Sequence, residues 1–269
     1  MRIAIKMGGD LIKGESINTP LIEDIRALAQ AHSVVVVHGG GDIVTDMAKR
    51  LGKEQTFVMS PEGFKSRYTD RETADIYAMV MAGAINTKIV GTLQSFGINT
   101  VGLSGFDGGL IRAERKKRLV VIDEKGRKLA KEGGYTGKIT SVNSGMLELL
   151  LSKGYVPVIS PLAMGTEYEP LNIDGDRTTA NVAKAIKSDL VIYLTDVEGV
   201  LKDGKVIPKI GALEVDTLLA NIGPGMSTKI HAAVEAIKGG VGKAVITSGF
   251  AERPLSDAIE GKRGTVIAL

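Results

Sequence analysis

The sequence predicts an α/β protein with an open, mainly parallel sheet sandwiched by helices (αβα) and carrying a β-hairpin insertion. Three observations predict it. Val34 to Val37 are four valines in a row, and a run that does not alternate reads as a strand buried on both faces, as in a parallel sheet covered by helices. That run ends in Gly39-Gly40-Gly41 and passes into Asp42 to Leu51, where Ile43, Met47 and Leu51 share one helical stripe. The same strand–glycine–helix order returns in the second half of the chain. Glycines at such a turn let backbone N–H groups approach a ligand closely, and the helix N-terminus adds partial positive charge. The stretch reads as a device for holding an anion, with a plain glycine-rich turn as the alternative.

The chain has 269 residues, enough for one large domain or two lobes around a sizeable core. Hydrophobic residues make up 43% and charged residues 24%, an ordinary globular balance that excludes a disordered chain. With no Cys, neither disulfides nor a thiolate metal site can form. No apolar run looks long enough for a membrane span, and the opening MRIAIKMGGD reads as a strand, so a cytoplasmic protein without leader or membrane is expected. The net charge of +3 is too small to suggest nucleic acid. Its distribution is uneven. Arg112 to Lys131 holds nine Lys/Arg against three Asp/Glu, so this one segment carries +6 and the remainder −3. Such asymmetry suits an acidic partner, with a solvated hairpin as the bland alternative.

Taken in order, Arg2 to Met7 is a first strand ending in Lys6-Met-Gly8-Gly9-Asp10, where a lysine stands beside two glycines. Pro20 to Ala31 is an amphipathic helix. Thr69 with Glu72 fits a capping box for a helix running to about Ala82, which leaves the fork of Arg67 just before it, free to grip a carboxylate. Asn86 to Phe96 is a second helix and Thr100 to Leu103 a short strand. Arg118 to Asp123 and Lys128 to Ala130 flank a glycine turn as a hairpin. Met146 to Ser152 reads as a helix and Tyr155 to Ser160 as a buried strand. Asp176 reads as the N-cap of a helix from Arg177 to Lys187. Leu190 to Leu194 is another buried strand, leading to Thr195-Asp196-Val197-Glu-Gly199-Val-Leu201. A helix opening near Asn221 puts Lys229 in its first turn, where a cation opposes the dipole and invites an anion. Ala244 to Thr247 and Gly264 to Ala268 are late strands, the second expected at an edge.

Several chemistries are excluded. No G-x-G-x-x-G opens a helix after a strand, so a dinucleotide oxidoreductase is unsupported. Gly199 to Lys205 approaches a P-loop, but Val206 stands where Ser or Thr is required. His32, His38 and His231 are the only histidines and lack zinc-hydrolase spacing; His38 fits a role in orienting the glycine turn. No G-x-S-x-G elbow occurs. Aromatic residues do not interleave with the basic segment, which argues against stacking on single-stranded nucleic acid.

The motifs Lys6-Met-Gly8-Gly9, His38-Gly-Gly-Gly41, Arg67 before Thr69-Asp70, Asn172-Ile-Asp-Gly-Asp176, Thr195-Asp-Val-Glu-Gly199 and Gly225-Met-Ser-Thr-Lys229 occur in this order. Together they resemble the amino acid kinase superfamily over nearly the whole chain, with the acetylglutamate kinase branch as the nearest broad match. Tyr68-Thr-Asp-Arg-Glu-Thr73 and the basic hairpin look more like the members that phosphorylate 2-aminoadipate, and in some cases glutamate, attached through its amino group to the small acidic carrier protein LysW, in lysine and sometimes arginine biosynthesis. The resemblance implies the amino acid kinase fold, in one domain over residues 1–269. An approximate lobe 1–165 would bind substrate and dimerise, and a lobe 166–269 would bind ATP.

It also implies catalytic roles for Lys6, Asp176 and Lys229, with Asp176 holding the two lysines. Gly40, Gly41, Arg67 and Asn172 would bind the amino-acid substrate. Gly8, Gly9, Gly39, Asp196, Val197, Gly199, Leu201, Gly223, Gly225 and Met226, within longer stretches that include Asn221, would bind ATP. Mg2+ would be held mainly by ATP and water, with no metal site in the protein. Arg115, Lys116, Lys117 and Arg118 would dock the carrier, and a homodimer is implied. Asp174 departs from acetylglutamate kinases, which often carry Asn there. The alternatives are an N-acetylglutamate kinase acting on the free substrate in arginine biosynthesis, a nucleotide monophosphate kinase, and a non-catalytic nucleotide-binding protein.

The chemistry suits the composition. A side-chain carboxylate with an unperturbed pKa of about 4.3 is already a nucleophile at neutral pH and needs no general base. Phosphoryl transfer then requires alignment and charge neutralisation, which lysines, glycine amides and helix N-termini supply.

Overall fold

Isoleucine and valine set the centre of the molecule. The structure, a computed structural model, describes residues 1–14, 16–61, 63–123, 125–215 and 222–269. Among them, β1 (Arg2–Met7), β2 (Ser33–His38), β3 (Thr100–Leu103), β4 (Val156–Ile159), β5 (Leu190–Thr195), β6 (Lys209–Gly211), β7 (Lys243–Ser248) and β8 (Thr265–Ala268) form one sheet. Its order is β6-β8-β7-β5-β1-β2-β4-β3. Every neighbouring pair is parallel except β7 with β8. The sequence places β8 at an edge, but it lies between β6 and β7. A three-residue strand between turns, Lys209–Gly211, gave too little pattern to be recognised as the true edge.

Both faces of the sheet are covered. Ile3, Ile5 and Met7 of β1 enter one apolar cluster while Ala4 enters another, and Val34 and Val36 separate in the same way from Val35 and Val37. Period-two alternation with both sides apolar is the reason the valine run needs no polar residue. Around the sheet lie α1 (Thr19–Ala31), α2 (Gly41–Arg50), α3 (Arg71–Ala78), α4 (Asn86–Ser95), α5 (Ser144–Ser152), α6 (Gly175–Ala185), α7 (Pro224–Lys238) and α8 (Pro254–Ile259).

The α3 region corrects two expectations. Its N-cap is Asp70, whose carboxylate accepts from the Thr73 N–H at 2.8 Å, rather than Thr69 in a capping box. No break separates it from α4: a π-helical stretch, Met79–Ile85, joins them into one helix from Arg71 to Ser95. That helix is long and apolar enough to cross a bilayer by length and composition, contrary to the expectation that no such run exists. Its Ile76, Val80, Ile85, Ile89 and Leu93 are buried in the same cluster as β1.

Two smaller sheets sit over the carboxyl ends of the central strands. The expected hairpin forms from Arg118–Ile122 and Lys128–Glu132, paired from Arg118 with Glu132 to Ile122 with Lys128. Met59 pairs with Ile122, which joins the hairpin to Phe57–Met59 and Lys65–Arg67 in one four-stranded lid. Ile111–Arg115, Gly137–Val142, Leu162–Met164 and Pro170–Asn172 form the other.

Candidate active site

Parallel strands end on the same side, so the carboxyl ends of β1, β2 and β5 bring three segments together. β1 delivers Lys6 and then Gly8 and Gly9. β2 delivers Gly39 to Gly41 and the start of α2. Gly40 has φ +139°, and a Cβ on it would lie 2.3 Å from Ile85 Cδ1. Only glycine permits that conformation and that approach of the π-helical stretch.

The chain from Pro170–Asn172 into α6 supplies the acid. Asp174, not Asp176, is the N-cap, its carboxylate accepting from the Arg177 N–H at 2.8 Å. Asp176 lies in the first turn, 5% exposed, and turns inward. Its Oδ1 is 3.0 Å from Lys6 Nζ and its Oδ2 3.3 Å from Lys229 Nζ. Burial works against the Asp176 charge, but Lys6 and Lys229 outweigh it and hold the carboxyl below the usual carboxylate range. Burial likewise works to discharge Lys6, and Asp176 holds its amine above the ordinary lysine value. Asp174 is raised by burial and by the Asp176 charge. Two ammonium groups on one carboxylate leave a net positive charge in a low-dielectric place, the condition for gripping an anion. Lys229 is the sixth residue of α7, in its second turn, so the helix dipole does not oppose it as the sequence suggested.

Lys6 and Asp176 line a cleft of about 470 Å³, together with Gly9, Gly39, Gly40, Gly41, Arg67 and Asn172. The Arg67 fork is not free, as expected from sequence, but already held. Nη1 donates to Gln55 Oε1, and Nη2 donates to Gly41 O at 2.7 Å and Thr45 Oγ1 at 2.9 Å. Nε and one Nη1 hydrogen take no part in these bonds. Asn172 Nδ2 donates to Thr69 Oγ1 at 3.0 Å. Sequence reasoning assigned no cleft role to Tyr77, whose hydroxyl donates to Pro161 O at 3.1 Å, or to Arg177 and Glu235. The Arg177–Glu235 ion pair, 3.1 Å, links α6 to α7 and carries no local signature.

The other residues expected at a nucleotide lie outside this cleft. Gly8 packs so that a Cβ would be 3.2 Å from Leu194 O. Asp196, Val197 and Gly199 follow β5 at the same end of the sheet. Leu201 stands in a two-stranded ribbon opposite Val206. Gly223 caps α7, with Gly225 and Met226 in its first turn. Asn221 lies outside the described residues.

The four basic residues expected to dock a carrier divide. Arg115 donates through Nε to Gly134 O at 2.5 Å, and its guanidinium stacks 4.0 Å from the Tyr135 ring centroid. Lys116 lines the cleft, and burial followed by Arg177 lowers its amine below the ordinary lysine value. Lys117 and Arg118 are exposed.

Beneath the glycine turn, His38 is fully buried. Gly39 O can only accept, so His38 Nδ1, 2.9 Å away, carries the proton. Nε2 then accepts from Asn86 Nδ2 at 3.3 Å, while that amide also donates to Val158 O at 2.9 Å. Burial, with Lys6 nearby, pushes the imidazole pKa down to about 4. Among the described residues no cluster of three or more His, Asp or Glu could hold a metal ion.

A mainly parallel sheet, glycine turns at its strand ends and two lysines on one buried aspartate define a phosphoryl-transfer scaffold. Residues 1–248 match the amino acid kinase family, and the chain belongs to that family. A Cenarchaeum symbiosum protein is 55% identical over 265 residues, 98% of each chain, and is provisionally assigned as a [LysW]-aminoadipate/[LysW]-glutamate kinase. A Saccharolobus islandicus protein, 47% identical over 266 residues and 98% of each chain, carries that name outright. Among solved structures, smu.665 from Streptococcus mutans superposes with a TM-score of 0.81 at 24% identity, covering 99% of this chain and 98% of its own. An N-acetylglutamate synthase from Neisseria gonorrhoeae gives 0.82 at 22% identity, over 100% of this chain and 59% of its own. At these identities the two structures bear on the fold alone.

Proposed function

We propose that this chain phosphorylates the side-chain carboxylate of 2-aminoadipate, and of glutamate, whose amino group is joined to a LysW carrier. The observation that carries the chemistry is the Lys6–Asp176–Lys229 cluster, of which Lys6 and Asp176 line a cleft that also holds Arg67 and Asn172. The substrate class rests on the full-length relatives at 47–55% identity. The carboxylate oxygen attacks the γ-phosphorus of ATP, the bond to the β-phosphate oxygen breaks, and ADP leaves with its electron pair. No proton needs removal. Lys6 and Lys229 offset charge growing on the transferred group, and Asp176 sets their positions.

Gly40, Gly41, Arg67 and Asn172 hold the amino acid. Gly8, Gly9, Gly39 and the segments around Asp196–Leu201 and Gly223–Met226 hold ATP, with Mg2+ carried in by the phosphates and water. Residues 1–165 serve as substrate-binding and dimerising lobe and 166–269 as nucleotide lobe, in a cytoplasmic homodimer. The exposed charges at Lys117 and Arg118 steer the acidic carrier.

The test is hydroxylamine trapping of acyl phosphate with ATP and Mg2+, offering carrier-linked aminoadipate, carrier-linked glutamate and free N-acetylglutamate. Turnover of the carrier-linked substrates is expected. Turnover of free N-acetylglutamate alone would replace this reading with an acetylglutamate kinase.

A further inference from the structure

The glycine turn after β2 contains one peptide that neither sheet nor helix sets. Gly39 N–H donates to Met7 O at 2.8 Å, and Gly40 O accepts from Val44 N–H at 3.0 Å, the first bond of α2. Between them lies the peptide made of Gly39 O and Gly40 N–H, which no backbone group binds among the described residues. Glycine stands on both sides of it, so both of its orientations are open. One side chain chooses between them: His38 Nδ1 donates to Gly39 O at 2.9 Å. A trans peptide carries its C=O and its N–H on opposite sides. With the carbonyl drawn to the buried imidazole, Gly40 N–H turns the other way, toward the cleft that Gly39 and Gly40 line. That N–H has no acceptor among the described residues. A Cβ on Gly39 would stand 3.7 Å from Lys6 Nζ, so the open donor sits beside a lysine of the transfer cluster.

The imidazole has a choice of its own. A neutral ring carries one proton, and only the Nδ1–H form can donate to Gly39 O. In the Nε2–H form two lone pairs would face each other, and the peptide would turn over. Asn86 settles the ring. Val158 O can only accept, so the Asn86 atom facing it is Nδ2, and the second Nδ2 hydrogen points to His38 Nε2. Nε2 must therefore accept, which leaves the proton on Nδ1. Asn86 is itself fixed: it is 4% exposed, and its Oδ1 fills the space that a Cβ on Gly102 would need. It follows directly on the π-helical stretch, so two consecutive residues, Ile85 and Asn86, reach Gly40 and His38. A π-helical turn re-aims side chains in this way at functional sites.

We propose that Asn86 is a positioning residue for phosphoryl transfer, acting through the tautomer of His38 to aim Gly40 N–H at the charge on the transferred group. This rests on the phosphoryl-transfer reading above. Asn86 and His38 lie buried beneath the turn and do their work without touching substrate.

The test reads tautomer and turnover separately in the full chain. The sequence holds three histidines, so 15N-histidine labelling gives a spectrum in which His38 can be assigned. At pH 7, where burial keeps the ring neutral, the wild type is expected to show Nδ1–H. Asn86→Asp replaces the donor with an acceptor, and His38 is then expected to carry a proton on Nε2. Acyl-phosphate assays of that variant should show kcat lower by about tenfold or more, with KM for ATP and for the carboxylate substrate within about threefold of wild type. A second pair keeps the test open if Asn86→Asp folds poorly. The Nδ2 of His38→Asn lies near the place of Nδ1 and can donate to Gly39 O, whereas the amide of His38→Gln reaches the place of Nε2. His38→Asn should therefore keep a kcat at least about fivefold above that of His38→Gln. Nε2–H in the wild type, an unmoved tautomer in Asn86→Asp, a switched tautomer with wild-type kcat, or equal kcat in the two His38 variants would overturn the proposal and leave the kinase reading intact. Absence of acyl phosphate from every carboxylate substrate with the wild type would remove that reading and this proposal with it.

Discussion

Asp176 holds two lysines that would otherwise repel each other, and this makes its replacement more telling than theirs. Lys6→Met and Lys229→Met each remove one donor to the transferring group, and kcat is expected to fall about 10²–10³-fold with the fold retained. Asp176→Asn leaves buried ammonium charge uncompensated, and urea unfolding at pH 7 should show a loss of about 3–5 kcal/mol. The Asp176 carboxyl is depressed in the native state, so its contribution is complete above the unfolded carboxylate range and is lost as pH falls through the native value. His38 works over a different window. With a native pKa of about 4, the unfolded chain takes up a proton between pH 6.5 and about 4 that the native chain refuses. Stability should therefore fall by about 3 kcal/mol across that window, and His38→Gln should flatten the slope in pH-dependent unfolding. Lys6 and Arg67 stand out in the sequence because each lies beside a glycine turn or helix start, whereas Asn172 is implied only by the resemblance to the family; the structure brings all three to one cleft. The choice between Asp174 and Asp176 as cap could not be read there, because both acids precede the same helix and only backbone geometry separates them.

Helix Arg71–Ser95 shows how a neighbouring element overrides local pattern. The sequence suggests one helix to about Ala82 and another from Asn86, yet the helix runs on through Met79–Ile85, where Met81 and Ile85 pack on Gly40. Gly40→Ala places a Cβ into Ile85 at a strained φ, and a loss of about 1–3 kcal/mol in thermal or urea unfolding is expected. Gly83→Ala meets nothing within 4 Å and should be neutral or stabilising, which isolates the contact from the residue type. The hairpin gives the opposite lesson. Alternating residues and a glycine turn revealed its strands, but the pairing of Met59 with Ile122 depends on residues far apart in the chain. Its basic residues accordingly differ in kind. Lys117→Glu with Arg118→Glu should raise KM for carrier-linked substrate and weaken its salt dependence without moving the melting temperature. Arg115→Ala should lower the melting temperature as well, because it removes the Tyr135 stack and the bond to Gly134.

At the scale of the molecule, burial on both faces could be read from the valine run, whereas the order of strands could not. Periodicity does not say which strand lies beside which, and β8 enters between β6 and β7 against all local indication. That insertion ties β8 to the segment after β5, where the nucleotide is proposed to bind: Thr265 Oγ1 accepts from Val200 N–H at 2.8 Å and donates to Ile207 O at 2.6 Å. Removing residues 265–269 should therefore weaken ATP binding, measured by titration calorimetry, although none of them faces the cleft. The central position of β1 bears on how the protein is born. β2 can pair with β1 as soon as it is made, but its other neighbour, β5, is not complete until Thr195. At about 5–20 residues per second, one edge of this central strand waits on the order of 10–30 s for its partner. The nascent chain is exposed to aggregation for that interval, and slower synthesis would lengthen it.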